Sequence, residues 1–143
     1  MEPRISLITL GVQNLRKARK FYVEGLGWKP SSASQEAIIF IQMGGMALSL
    51  FQHDALAEDA GVAPVPSSGF RGVTLAYNAR TKGEVDTVMA QAAKAGGRKM
   101  RPAAETSWGG YAGYFADPDG HLWEVAWNPH FALGPKGELI LPK

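Results

Sequence analysis

Cysteine is absent from all 143 residues, which excludes disulfides and thiolate-held metals outright. Long apolar runs are missing too. The first such run, residues 5–12, contains Ser6, Thr9 and Gly11, is too short to span a bilayer, and is followed by no small-residue cleavage site. Nor does charge of one sign cluster. The net charge is +2 with Lys and Arg scattered along the chain, which argues against a nucleic-acid groove and its basic stripe. The expectation from these absences is a cytoplasmic protein with no nucleic-acid or membrane partner. What remains is an ordinary globular mix, 45% hydrophobic and 20% charged, in a chain long enough to bury one core.

Local patterns then divide the chain into elements. Residues 5–12 alternate with both sets largely apolar, which predicts a strand covered on both faces. Asn14 is placed to cap a helix whose stripe is Leu15, Ala18, Phe21 and Tyr22, stopped by Gly25 and Gly27. Strands follow over 37–43 and 46–51, joined at Gly44-Gly45. The stretch 53–69, with Gly61, Pro64, Pro66, Ser67 and Ser68, has little strand pattern and reads as a linker. A new strand is expected over 72–77. Thr81 and Glu84 then form a T-x-x-E capping box before a helix carrying Val85, Val88, Met89 and Ala92, ended by Gly96-Gly97. Strands over 111–116 and 121–127 flank the turn Asp117-Pro118-Asp119-Gly120, in which Asp bonds its own backbone and Gly supplies positive φ. The tail after Pro129 ends in a short edge strand over 138–141.

The order strand, helix, strands, linker, strand, helix, strands is an internal repeat. Thr9-Leu10 matches Thr74-Leu75 at an offset of 65, while Phe40 and Gly45 match Phe115 and Gly120 at 75. The difference falls between helix and hairpin, where loops absorb insertions cheaply. The modules span about 4–52 and 70–129 within a single domain of 1–143, with the linker at 53–69 and a tail at 130–143.

Three stretches together resemble the vicinal-oxygen-chelate superfamily, the glyoxalase and bleomycin-resistance relatives. One runs from Leu10-Gly11-Val12-Gln13-Asn14-Leu15 through Ala18, Phe21-Tyr22 and Leu26-Gly27. Another is the β-α-β-β-β order, occurring twice. The last is Phe115-Ala116-Asp117-Pro118-Asp119-Gly120-His121-Leu122-Trp123-Glu124-Val125, similar to the family's closing hairpin. The resemblance covers nearly all of residues 5–127. It implies an α+β fold of two βαβββ modules, forming a curved mixed sheet around a shared cavity.

In metal-bearing relatives two ligands come from each module, one on its first strand and one on its last. The resemblance places Glu124 at a carboxylate ligand position, and the offsets place Ser49, Leu7 and Gly72 at the other three. A divalent cation needs about four to six donors. Leu and Gly provide none, so no metal ligands and no cofactor are expected, with a divalent metal the disfavoured alternative. His53, His121 and His130 read as surface or turn residues.

On the last strand, Trp123, Val125 and Trp127 share one face and should pack under a helix, which turns Leu122, Glu124 and Ala126 to the cavity. A carboxylate there is costly to bury unpaired. Two readings stand: Glu124 contacts a cationic or hydroxyl-bearing ligand or acts as a base, or a neighbour such as Arg71, or water, satisfies it. Trp108-Gly109-Gly110-Tyr111 and Gly113-Tyr114 place flat aromatics among glycines, which suits an aromatic or amphipathic small molecule. Trp108, Tyr111 and Tyr114 are expected to line the pocket, with Thr9, Phe51 and Thr74 in its walls. The resemblance implies a metal-free binder of a small organic molecule. A lyase, isomerase or dioxygenase, metal-dependent or using Glu124 as acid or base, is the alternative, and an interaction module a third. Relatives commonly pair, so a homodimer is expected, with Trp28, Phe131 and residues 139–141 as candidate apolar surface.

Overall fold

The computed structural model describes residues 1–65 and 69–141. The chain divides into two compact units, Met1–Arg71 and Gly72–Lys143, each built on a mixed sheet with few helices.

The first unit runs β1 (Leu7–Val12), α1 (Leu15–Arg19), β2 (Ile38–Met43), β3 (Met46–Gln52) and α2 (His53–Asp59). Its sheet has the order β1-β3-β2, with β1 parallel and β2 antiparallel to β3. Asn14 caps α1 as its position predicts, Oδ1 accepting the Lys17 N–H at 2.9 Å. After Arg19 the helix widens into a π-helical turn, Lys20–Gly25, and the Leu26 N–H reaches the Phe21 carbonyl at 2.9 Å. The wider turn lets the adjacent Phe21 and Tyr22 both be buried. Trp28 stacks on Tyr22 with ring centroids 5.3 Å apart. One sheet face buries Leu10, Val12, Ile39, Ile41, Leu48 and Leu50, and α1 packs on β3. The other face carries Thr9, Ser49, Phe51 and Phe40.

Two features of this unit differ from the sequence pattern. Residues 53–59 form α2 where a patternless linker was expected. The helix is held by packing, since a Cβ on Gly11 would stand 3.3 Å from Leu56 Cδ2, so the sheet supplies what local pattern does not show. The 66–68 part of that stretch, Pro66, Ser67 and Ser68, lies outside the described residues. Between α1 and β2, where the family's module has another strand, the described residues show an isolated bridge from Pro30 to Ile41. Proline has no N–H with which to extend a ladder.

The second unit runs β4 (Leu75–Asn78), α3 (Lys82–Lys94), β5 (Arg98–Glu105), β6 (Tyr111–Ala116) and β7 (Leu122–Trp127), then β8 (Ala132–Leu133) and β9 (Leu139–Ile140). The main sheet has the order β4-β7-β6-β5, with β4 parallel to β7 and the other pairs antiparallel. The strand expected over 72–77 starts only at Leu75, because Gly72 takes a φ of 76° and breaks the extended backbone. Thr74 therefore precedes the strand. The tail strand pairs with β8 in a separate ribbon rather than along the main sheet. Arg80 ties that ribbon down, donating to the carbonyl of Gly134 at 2.7 Å.

The capping box forms by half. Thr81 Oγ1 accepts the Glu84 N–H at 3.1 Å, but Glu84 reaches the N–H of Arg80, at 2.7 Å, instead of that of Thr81. Side chains of α3 mark which sheet face it covers. Asp86 accepts from the Tyr111 hydroxyl, Glu84 from the Tyr77 hydroxyl, and Lys82 Nζ stands 5.2 Å from the Trp127 ring centroid. Trp123 and Val125 are buried, and Trp123 stacks on its cross-strand partner Phe115 at 6.2 Å. The odd-numbered positions of β6 and β7 thus face α3, as the alternation in the sequence predicts.

The Asp117 turn joins β6 to β7. Asp117 is buried, and its Oδ1 accepts the N–H groups of Asp119 at 2.9 Å and His121 at 2.8 Å. Its Oδ2 lies 2.9 Å from His121 Nδ1. Gly120 supplies the positive φ, 88°.

Strand β5 approaches β6 closely at Gly113, where an added Cβ would stand 2.9 Å from the Ala103 nitrogen and 3.1 Å from Met89 Cε. Backbone cannot swing aside as a side-chain tip can. Gly113→Ala should therefore destabilise by about 1–3 kcal/mol, the cost typical of overpacking. Thermal unfolding measures this, and an unchanged Tm would contradict the close approach.

Candidate functional site

Four strands of the second unit each contribute one residue to a single cross-strand row: Ala76 of β4, Glu124 of β7, Tyr114 of β6 and Arg101 of β5. These residues alternate with those that meet α3, so the row stands on the opposite sheet face.

The Tyr114 hydroxyl donates to Glu124 Oε1 at 2.8 Å. The other carboxylate oxygen accepts nothing from any described residue and reaches solvent. Ala76 beside it is exposed and presents only a methyl, which leaves that oxygen open. On the far side of the phenol, the Arg101 guanidinium carbon stands 5.0 Å from the ring centroid, within cation–π range. Burial, then the hydrogen bond to Glu124, raises the Tyr114 pKa above its ordinary 10.0, while the Arg101 charge opposes them. The phenol is therefore neutral near pH 7 and remains a donor. The row can accept a hydrogen bond or a proton at Glu124.

The sequence left open whether Glu124 is paired, and the partner is Tyr114 rather than Arg71. Tyr114 and Glu124 are the two candidate residues brought into direct contact. Tyr111 stands on the α3 face, bonded to Asp86. Trp108 folds over Gly110, where its ring occupies the space a Cβ would need, and it is half exposed. Thr74 lies ahead of β4. In the first unit, Thr9 and Phe51 share the sheet face opposite Leu48 and Leu50, and Thr9 Oγ1 accepts from Ser49 Oγ at 2.7 Å. Ser49 is fully buried. Arg101 was missed, because its strand has no apolar alternation to reveal it.

The positions that the family resemblance assigns to metal ligands do not fit a divalent cation. Leu7 and Gly72 have no donor atom in their side chains, Ser49 offers only a neutral hydroxyl that is hydrogen-bonded to Thr9, and Glu124 remains as the one charged ligand. Among the described residues, no three His, Asp or Glu side chains gather into a group that could hold an ion. His121 is engaged by Asp117, and His53 by Asp54 at 2.8 Å.

Comparison with known proteins places this geometry in a family. The model of the Glyoxalase/Bleomycin resistance protein/Dioxygenase superfamily matches residues 4–125. The chain belongs to that superfamily. It is similar to the solved structure of a glyoxalase-related enzyme from Fulvimarina pelagi, at 40% identity and a TM-score of 0.90 over 99% of each chain. A glyoxalase/bleomycin resistance protein/dioxygenase from Nocardioides is 25% identical, with a TM-score of 0.74 over 89% of this chain and 84% of that one. A lactoylglutathione lyase from Agrobacterium tumefaciens is 24% identical, with a TM-score of 0.67 over 90% of this chain and 96% of that one, and shows the fold. A search among curated proteins found no match. Among the described residues, no helix is long and apolar enough to cross a membrane.

The Tyr114–Glu124 bond can be read by spectrophotometric titration. Glu124→Gln should move the Tyr114 phenol down toward 10.0, with Tyr114→Phe subtracted to isolate its signal. A phenol raised on folding contributes stability that is complete below pH 10 and is lost as pH climbs through the folded value. Wild type should accordingly lose more stability than Tyr114→Phe above pH 10. Equal losses would show that folding does not raise the phenol, and an unmoved phenol in Glu124→Gln would show that the bond is absent in solution.

Proposed function

We propose that this chain binds a small organic molecule without a metal, on the face of the second unit that carries Tyr114 and Glu124. One observation carries the reading: a half-buried carboxylate is held by a phenol through one oxygen and keeps the other open. Such a group selects a hydroxyl or ammonium donor on a ligand, and Tyr114 gives an apolar surface beside it. The donor set argues for the metal-free form, because one carboxylate leaves a divalent cation short of ligands.

Thermal-shift screening should find small organic ligands, and Glu124→Gln should weaken the best of them about tenfold or more, the scale of one charge-assisted hydrogen bond. Unchanged affinity would remove Glu124 from the site. Elemental analysis of protein purified without added metal should find little divalent ion. An ion held near one per chain would overturn the metal-free reading.

A second reading is favoured by the relative from Fulvimarina pelagi, which is described as an enzyme. In it, Glu124 takes a proton from the bound molecule while Tyr114 holds the carboxylate in place. Ligand recovered unchanged after incubation supports binding alone. A product that forms with wild type and not with Glu124→Gln supports the acid–base reading.

A further inference from the structure

Strand β5 pairs with β6 in a broken register. Arg98 opposes Ala116 and Lys99 opposes Phe115, so an unbroken ladder would set Met100 against Tyr114. Instead one residue is inserted, and Arg101 stands opposite Tyr114. A second insertion follows before Ala104 meets Ala112. Side chains alternate between faces, so without the first insertion Arg101 would oppose Gly113 and point toward α3. The bulge is what brings an arginine, rather than a methionine, to the row. Bulges commonly re-aim a side chain in this way.

The guanidinium is then held by the phenol and not by a carboxylate. It stands over the Tyr114 ring and makes no hydrogen bond or ion pair with any described residue. Glu124 is the acid across the row, yet Tyr114 lies between the two charges and takes one carboxylate oxygen for itself. The result is an ordered strip with a free cation at one end, an aromatic middle, and a free acceptor oxygen at the other. Two strand intervals, about 10 Å, separate the backbones that carry the two charges.

We infer that the ligand is an organic carboxylate that also carries a hydroxyl or ammonium group. Arg101 takes the carboxylate through its planar fork of N–H donors, and Glu124 takes the hydroxyl or ammonium hydrogen. This rests on the proposed binding at Glu124 and adds to it the charge of the ligand's other end.

The probes are 3-(4-hydroxyphenyl)propionate and its neutral primary amide, titrated calorimetrically into the whole protein. Wild type should prefer the acid about tenfold or more, and the preference should shrink as salt is added. Arg101→Gln should weaken the acid far more than the amide and so abolish the preference, and Arg101→Lys should restore part of it. Arg101 is exposed, so all variants should unfold at the wild-type temperature. A wild type that binds acid and amide equally, or an Arg101→Gln variant that keeps the preference, overturns the inference and leaves the Glu124 reading standing. Failure of both probes while only molecules without a carboxylate bind also defeats the carboxylate assignment alone. Failure of every organic molecule tried defeats both.

Discussion

The hydrogen bonds gathered on one buried carboxylate set the geometry of the second unit. Asp117 holds the N–H groups of Asp119 and His121 and the His121 ring, and so fixes where β7 starts against the end of β6. Strand side chains alternate with a period of two, so a slip of one residue would exchange the faces. Glu124 would then point at α3, and Trp123 would leave the buried stack with Phe115. Hydrogen bonds to a charged group are worth about 1.5–3 kcal/mol each, and an unsatisfied N–H beside a buried turn adds further cost. The Tyr114–Glu124 contact is thus a consequence of the turn, and the insertion in β5 then adds Arg101 to the same row.

The two units share an opening strand and helix and a closing antiparallel hairpin, and diverge in chemistry. The last strand of the first unit sets Ser49 beside Thr9, and the Ser49 hydroxyl donates to that of Thr9. The last strand of the second sets Glu124 beside Ala76, and the carboxylate turns instead to β6 for its partner. Those pairings also revise the repeat. Ser49 and Glu124 are 75 apart, as the hairpins suggest, but Thr9 and Ala76 are 67 apart, where the sequence match gave 65. The two-residue error preserves the face and shifts the level along the strand. It replaces Gly72 by Thr74 as the counterpart of Leu7, and none of these residues is a strong metal donor.

Features written in local chemistry were legible in the sequence. Asn14 caps its helix, Asp117 binds its own turn, and the Trp123, Val125, Trp127 alternation names the face under α3. Features set by tertiary packing were not. Strand β5 is almost wholly exposed, basic and twice bulged, and shows no periodicity of its own. Helix α2 is short and depends on contact with the sheet at Gly11. Tyr111 and Tyr114 look alike in a stretch of glycines and aromatics, yet an odd spacing sends them to opposite faces. For Glu124 the sequence offers a ligand, a neighbour such as Arg71 or water as partner, whereas strand register supplies a phenol.

The central claim is that molecules bind on the sheet face turned from α3. Methyl-resolved NMR during titration with a bound small molecule tests it directly. The account predicts that the methyls of Ala76 and Leu122, beside Glu124 on that face, shift with added ligand, while those of Val85 and Val125, buried under α3, stay in place. Shifts confined to Val85 and Val125, or to the first unit, would contradict it.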